Sequence, residues 1–435
     1  MAWSGLAQEA AGGTAGIAVE GDGPLPVISC DGHVGPSVRH QLRPYCEAKY
    51  LDVFDEYTDD LYNSRPSDFV SNELDIPPEV VEYRMRPGAL DGLSDPVARL
   101  RDMDSNGVAA EILYHGGGNG ETVPFNMFGI TVTWSSRKYD YLESVGVDIY
   151  NRWLADYVST DPNRLLGLAH ITAHDVEEAV RQLKWAHAAG LRGVNLPAPR
   201  RDVVPYTDSS WDPLWALCED LGMALNTHAG LGDIDDRITG QAQNPVYLME
   251  VSWFGRRAIW QLIFAGVFER FPGLKYVVAE QFSDWVPSTL REMDSVYASP
   301  YFSRTLRKAL PRRPSEYFLT NCFCGGSFLS REEAQIAVDE NFSSNVMWGS
   351  DYPHPEGSQP YTLLALRKTF AGLPAEDVRN FIYGAAVDAY GLDLTSVADV
   401  AAKVGPAMSD IMEPYDGHPD DRGISLAFRE FGHWA

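Results

Sequence analysis

Eight short apolar runs recur along the 435 residues, each ending in a polar or glycine-rich stretch: VISCD (27–31), AAEILY (109–114), RLLGLAHI (164–171), LRGVNL (191–196), GMALNTH (222–228), LKYVVAE (274–280), YFLTNCF (317–323) and NVMWGSD (345–351). Runs this short, with little polar alternation, read as strands buried on both faces. The stretches between them carry helical spacing and helix punctuation. SDPVARLRDMDSNG opens with a serine cap and closes at Gly107, and HDVEEAVRQLKWAHAAG stops at Gly190. YNRWLADYVSTDPN, DPLWALCEDLG, RRAIWQLIFAGVFERFPG, REEAQIAVDEN and AEDVRNFIYGAAVDAYG follow the same pattern. Strand then helix, repeated along the chain, predicts an α/β fold of the (β/α)8 TIM barrel type, with its parallel sheet covered by helices. An open doubly wound sheet is the rival, weakened because no glycine-rich phosphate loop follows the first run.

Within that frame, residues 1–25 are rich in glycine and small side chains and are expected to be a flexible lead. Residues 26–395 form the expected barrel, and residues 396–435 an arm that lies over the barrel or against a second subunit. Two connections are long, 34–94 after the first strand and 115–145 after the second, and both follow strand C-termini. In a barrel that end carries the active site, so these insertions are expected to wall the pocket. With 35 basic against 61 acidic residues, the net charge of -26 argues against nucleic acid or an anionic membrane as partner. No signal peptide and no membrane-spanning window is read in the sequence. Five scattered cysteines lack the spacing of a disulfide scaffold or zinc ribbon, and a reducing cytoplasm is the expected location.

The chemistry lies at the strand ends. Asp31 and His33 stand two apart at the end of the first run, so their side chains share a face. His228 ends the fifth run, Glu280 the sixth and Asp351 the eighth. A carboxylate buried at the end of an apolar strand is costly unless it is compensated. Carboxylates and imidazoles gathered at matching ends of barrel strands are the donors that divalent metals accept. Asp31, His33, His228, Glu280 and Asp351 are therefore the candidate ligands. Glu280 has a second reading, as a partner of Arg256 or Arg257. Asp351, His228 and His354 are the candidate catalytic groups, and His115, Arg84, Arg256 and Trp253 the candidate substrate contacts. The basic segment SRTLRKALPRRPSEY could hold phosphates if it rims the pocket. Arg84 and Arg86 in the first long connection could equally serve a substrate carboxylate, and Trp134, Trp253, Phe254 and Tyr352 suit a bulky apolar or aromatic acyl group, so the expected partner is an anionic small molecule with an apolar or aromatic part.

The pattern resembles the metal-dependent amidohydrolase superfamily, in the branch of aminocarboxymuconate-semialdehyde decarboxylase and its relatives. The resemblance is carried by DGHVGPS, LRDMDSNGVAAEILY, NRWLADYVSTDPNRLLGLAHI, AAGLRGVNLP, WDPLWALCEDLGMALNTHAG, GVFERFPGLKYVVAEQFSDWVP and VMWGSDYPHPEG, in that order over residues 27 to 392. It implies a barrel with one or two divalent ions per chain, zinc, iron or manganese. Asp31 and His33 would be the first-strand ligands, His228 the fifth-strand ligand, and Asp351 the eighth-strand ligand and proton handler. Asp31 stands where many relatives have histidine, which favours a harder ion. Gly384 stands where many have asparagine, and RGVNLP offers no lysine to bridge two metals. The first expectation is a hydrolase that activates water against an ester, thioester such as an acyl-coenzyme A, amide or activated carbon–carbon bond beside a carbonyl. The alternative is a non-oxidative decarboxylase of a hydroxy-aryl or enol acid, and the third reading is a non-catalytic barrel scaffold. A homodimer is expected from family habit.

Overall fold

The computed structural model describes residues 23–64, 88, 90–116, 123–125, 138–199, 203–229, 237–238, 240–301, 304–419 and 424–434. Arg84, Arg86, Trp134 and the expected lead up to residue 22 lie outside them. Eight strands, β1 (Val27–Val34), β2 (Val108–His115), β3 (Leu165–His170), β4 (Gly193–Asn195), β5 (Ala224–His228), β6 (Tyr276–Ala279), β7 (Cys322–Ser327) and β8 (Val346–Gly349), form one sheet in chain order. Each neighbouring pair from β1–β2 to β7–β8 is parallel. Apart from His115, all their residues are buried, as a parallel sheet under helices requires. This is the expected (β/α)8 barrel. Its seam is not a ladder. β8 meets β1 through a single bridge between Gly32 and Tyr352, with Asp351 N–H donating to the Asp31 carbonyl (3.0 Å) and His33 N–H to the Tyr352 carbonyl (2.7 Å).

The surrounding helices are α1 (Leu51–Ser64), α2 (Pro96–Ser105), α3 (Glu143–Val158), α4 (Val176–Ala188), α5 (Asp212–Leu221), α6 (Gln243–Phe264), α7 (Val286–Ala298), α8 (Pro314–Asn321), α9 (Arg331–Asp339) and α10 (Thr362–Phe370). Several differ from the sequence reading for local reasons. The cap of α2 is Asp95, which accepts from the Val97 and Ala98 N–H groups, with Pro96 in the first turn; it is not Ser94. YFLTNCF is helical through Asn321, because Pro314 starts α8 and the Glu316 side chain accepts from the Arg313 N–H (2.7 Å). β7 therefore begins at Cys322 and ends at Ser327. The first long connection contains α1, and α6 starts well before Arg256.

The C-terminal arm lies on its own barrel. Leu25 N–H donates to the Pro406 carbonyl (2.8 Å), joining the arm to the start of β1. Residues 424–434 cross the segments that follow β6, β7 and β8: Leu426 N–H donates to the Glu356 carbonyl (2.8 Å), and the His433 ring stacks on Phe282 (3.9 Å). Arg429 pairs with Glu333, both buried. All five cysteines are free and buried.

Candidate metal centre

β1 brings Asp31 and His33 to the mouth of the barrel, and a register irregularity between Ser29 and Gly32 shapes the strand there. β5 contributes His228, and the turn after β8 contributes Asp351. Asp351 has φ 54° and Glu280 φ 51°. A left-handed conformation at a non-glycine residue costs about 1–2 kcal/mol, and here it falls at two carboxylates on strand ends. Asp31 and Asp351 have no exposed surface, while His33 and His228 are 2% and 7% exposed.

The donor atoms converge. His33 Nε2 lies 3.1 Å from Asp351 Oδ1 and 3.5 Å from Asp31 Oδ1. His228 Nε2 lies 3.3 Å from the same Asp31 oxygen. His354 Nδ1 reaches both oxygens of Asp351, at 2.9 and 3.0 Å. Ser327 at the end of β7 donates to Asp31 Oδ2 at 2.5 Å. Two sets, Asp31–His33–His228 and His33–Asp351–His354, each hold ligand atoms within 4.8 Å of one another.

The donor chemistry fits a cation. His228 Nδ1 must donate to the Ala229 carbonyl at 2.8 Å, which leaves Nε2 facing the Asp31 carboxylate. A neutral imidazole would then set a lone pair against a carboxylate. His33 Nε2 likewise has two carboxylate oxygens before it and at most one proton to offer them. A proton resolves one such conflict, whereas a divalent ion resolves them all. Without a metal, protons do the work. Burial opposes charge on His228, but Asp31 and Glu280 more than offset it and push the group up to about 9. Burial likewise opposes charge on His354, yet Asp351 carries it up to about 10. Burial would raise Asp351, but His354 and His33 hold it well below the usual carboxylate range. Burial and His354 together lower His33.

Glu280 differs from the expected ligand. Its Oε2 lies 3.3 Å from His228 Nδ1, the nitrogen turned away from Asp31, and it belongs to neither donor set. Burial pushes its carboxyl up to about 8. The two arginines expected as its partners are engaged elsewhere: Arg256 Nε donates to Gln281 Oε1 (2.6 Å) with its guanidinium on the Trp285 ring (4.6 Å), and Arg257 Nη1 donates to the Pro199 carbonyl (2.9 Å). His115 packs its ring against Tyr150 (5.2 Å) and His170 (5.6 Å) and meets the cluster through its carbonyl, 3.5 Å from His33 Nδ1. Trp253 is 48% exposed on α6 beneath Arg257. Arg312 of the basic segment sits over Tyr317 and 4.0 Å from Glu269, on the chain that enters β6 from the end opposite the cluster. Sequence reading missed Ser327, because β7 was placed too early. It also missed Tyr114, whose ring lies 4.8 Å from that of His228 and whose hydroxyl donates to Asn226 (3.1 Å).

Comparison with known proteins gives the same direction. The chain is 27% identical over 307 residues to 2-amino-3-carboxymuconate-6-semialdehyde decarboxylase of Dictyostelium discoideum, covering 69% of this chain and 77% of that protein. The fold is similar to an amidohydrolase from Mycobacterium avium subsp. paratuberculosis K-10 (TM-score 0.61, 18% identity, 86% of this chain and 100% of that one). It is also similar to 5-carboxyvanillate decarboxylase from Sphingomonas paucimobilis (TM-score 0.55, 21% identity, 85% and 99%). A third similar structure is a dihydroxybenzoic acid decarboxylase from Polaromonas sp. JS666 with bound manganese and 2-nitroresorcinol (TM-score 0.53, 17% identity, 85% and 97%). The family profile described as amidohydrolase matches residues 139–392. Since that match spans more than half of the sequence, the chain belongs to the amidohydrolase family.

Proposed function

We propose that this protein is a metal-dependent, non-oxidative decarboxylase of a small hydroxy-aryl or enol carboxylic acid. The observation that carries the reading is the similarity to a decarboxylase over 77% of that relative's length. It moves the weight from hydrolysis, the first expectation from sequence, to the alternative. The structural relatives named for 5-carboxyvanillate and dihydroxybenzoic acid support a planar aromatic acid as the substrate class.

Asp31, His33, His228 and Asp351 would hold one divalent ion, since His33 belongs to both donor sets and so links Asp351 to Asp31 and His228, and β4 (Gly193–Asn195) supplies no lysine for a second. Bound there, a divalent ion would supply Lewis-acid polarisation of the substrate's carboxylate. The protein's own groups manage the proton. When the carbon–carboxyl bond breaks, its electron pair stays on the substrate carbon, carbon dioxide leaves, and that carbon takes up one proton. The proton shared between His354 Nδ1 and Asp351 is placed for this transfer. The His354 side chain is 17% exposed, which gives it a route to be reprotonated from solvent. Glu280 and the Ala229 carbonyl orient His228 from behind.

The test is carbon dioxide release from a panel of ortho-hydroxy aryl acids and enol acids, run beside ester and thioester hydrolysis. Protein stripped of metal and reloaded with manganese, zinc or iron is compared. The reading expects metal-dependent carbon dioxide release from at least one acid. Hydrolysis with no decarboxylation would return the site to the first expectation.

A further inference from the structure

We propose that Arg99 and Glu111 are positioning residues for the metal centre: a buried ion pair that locks the β8–β1 seam and thereby fixes where Asp31, His33 and Asp351 point. For its consequence the proposal rests on the metal reading above, and for its structure on the seam alone.

Three of the four proposed ligands lie at the one junction of the barrel that lacks a strand ladder. Side chains do the joining there. Arg99 reaches in from α2, donating through Nε to Glu111 Oε2 (2.7 Å) and through Nη1 to the His33 carbonyl (2.8 Å). Glu111, on β2, accepts the Ser350 hydroxyl at Oε1 (3.0 Å). Ser350 N–H donates to Ser29 Oγ (2.9 Å), and the Ser29 hydroxyl donates to the Asp31 carbonyl (2.8 Å). One route thus runs from the pair to the main chain of His33, and another through Ser350 to the neighbour of Asp351 and back to Asp31. Tyr352, the next residue, lies under the guanidinium (4.1 Å) and donates its hydroxyl to Asp102 of α2 (2.7 Å).

The Arg99 side chain is 0% exposed and that of Glu111 2%. A fully buried pair is a poor source of stability, because apolar residues of the same volume serve as well. What it supplies is direction. The planar guanidinium fixes the angle between the Glu111 carboxylate and the His33 carbonyl, which a lysine or an apolar pair would leave free. Gly32, between the two β1 ligands, makes room for it: a Cβ there would overlap Glu111 Oε1 and Arg99 Nη2. No contact of the pair involves a ligand atom, so it acts through the strands and does not compete for the ion.

The experiment uses the full chain carrying Arg99→Met with Glu111→Leu, and separately Ser350→Ala, which cuts the link to β8 and leaves the pair intact. In metal-free protein, amide hydrogen exchange is followed at His33 and Asp351, whose bonds cross the seam, and at Leu225, which donates to the Lys275 carbonyl in the β5–β6 region. The double variant is expected to speed exchange at His33 and Asp351 by about tenfold or more while Leu225 stays unchanged. It is also expected to weaken manganese binding by calorimetry about ten- to a hundredfold, with a changed manganese spin-resonance spectrum. Equal acceleration at all three amides, or none, overturns the proposal, as does a manganese Kd within about twofold of wild type. If wild type binds no manganese, the metal reading fails separately, and the exchange rates still decide whether the pair locks the seam. If the double variant does not fold, Ser350→Ala carries the same readouts.

Discussion

Manganese binding should release about one proton and tighten about tenfold for each pH unit from about pH 6.5 to 8.5. In the metal-free protein His228 is raised to about 9, burial being outweighed by Asp31 and Glu280, so it is protonated at neutral pH. Its Nδ1 proton is committed to the Ala229 carbonyl. The proton an ion must displace therefore sits on Nε2, the atom facing Asp31. Below the titration point the fraction of sites free of that proton falls tenfold per unit, which is about 1.4 kcal/mol of binding free energy. His33 adds no comparable slope, because burial and His354 already favour its neutral form. The assay is titration calorimetry across this range in buffers of different ionisation enthalpy, which counts the protons released. Glu280→Gln removes one of the two raising carboxylates and should move the end of the slope to lower pH. A Kd constant within about twofold across the range, with no proton release, would refute the assignment of His228 Nε2 as a ligand.

His354→Gln should keep the metal and lower decarboxylation about 100- to 10,000-fold, measured as carbon dioxide release beside metal content; loss of metal with activity would make His354 a ligand instead. Gly32→Ala should destabilise the protein by about 2–3 kcal/mol in denaturant titration, since the new methyl overlaps the Arg99–Glu111 pair; an unchanged midpoint would contradict the packing at the bulge. Arg429→Ala leaves the buried Glu333 carboxylate without its cation and should cost about 3 kcal/mol in the same assay, with no loss expected if the arm is only loosely laid on. Burial lowers His170 to about 3, so its contribution is intact above about pH 6.5 and fades as pH falls toward that value, by about 2 kcal/mol at pH 5. His170→Phe should flatten this part of the stability profile, and an unaltered slope would exclude the assignment.

The four proposed ligands could be read from the sequence because Asp31, His228 and Asp351 end apolar runs and His33 shares a face with Asp31 two residues on. The barrel could be read for the same reason, since buried parallel strands announce themselves as short apolar segments. Failures came where chemistry at a segment start outweighs its composition. Phe318 and Leu319 look like strand residues, yet Pro314 and Glu316 had already started a helix, and moving β7 hid Ser327. Glu280 shows the limit of reading by position. It ends its strand as Asp351 does, but only the folded chain shows that it meets the far nitrogen of His228. Glu111 left a trace that passed unread: a lone carboxylate inside AAEILY needs a buried cation, and Arg99 lies in the helix just before it.

One divalent ion held by Asp31, His33, His228 and Asp351 would make the metal content of the chain stoichiometric. Elemental analysis of protein purified without chelator or affinity metal, wild type beside His33→Ala and His228→Ala, is the deciding measurement. About one equivalent of manganese, zinc or iron is expected per wild-type chain and almost none in either variant. About two equivalents, or no metal even after reconstitution, would contradict a one-ion site.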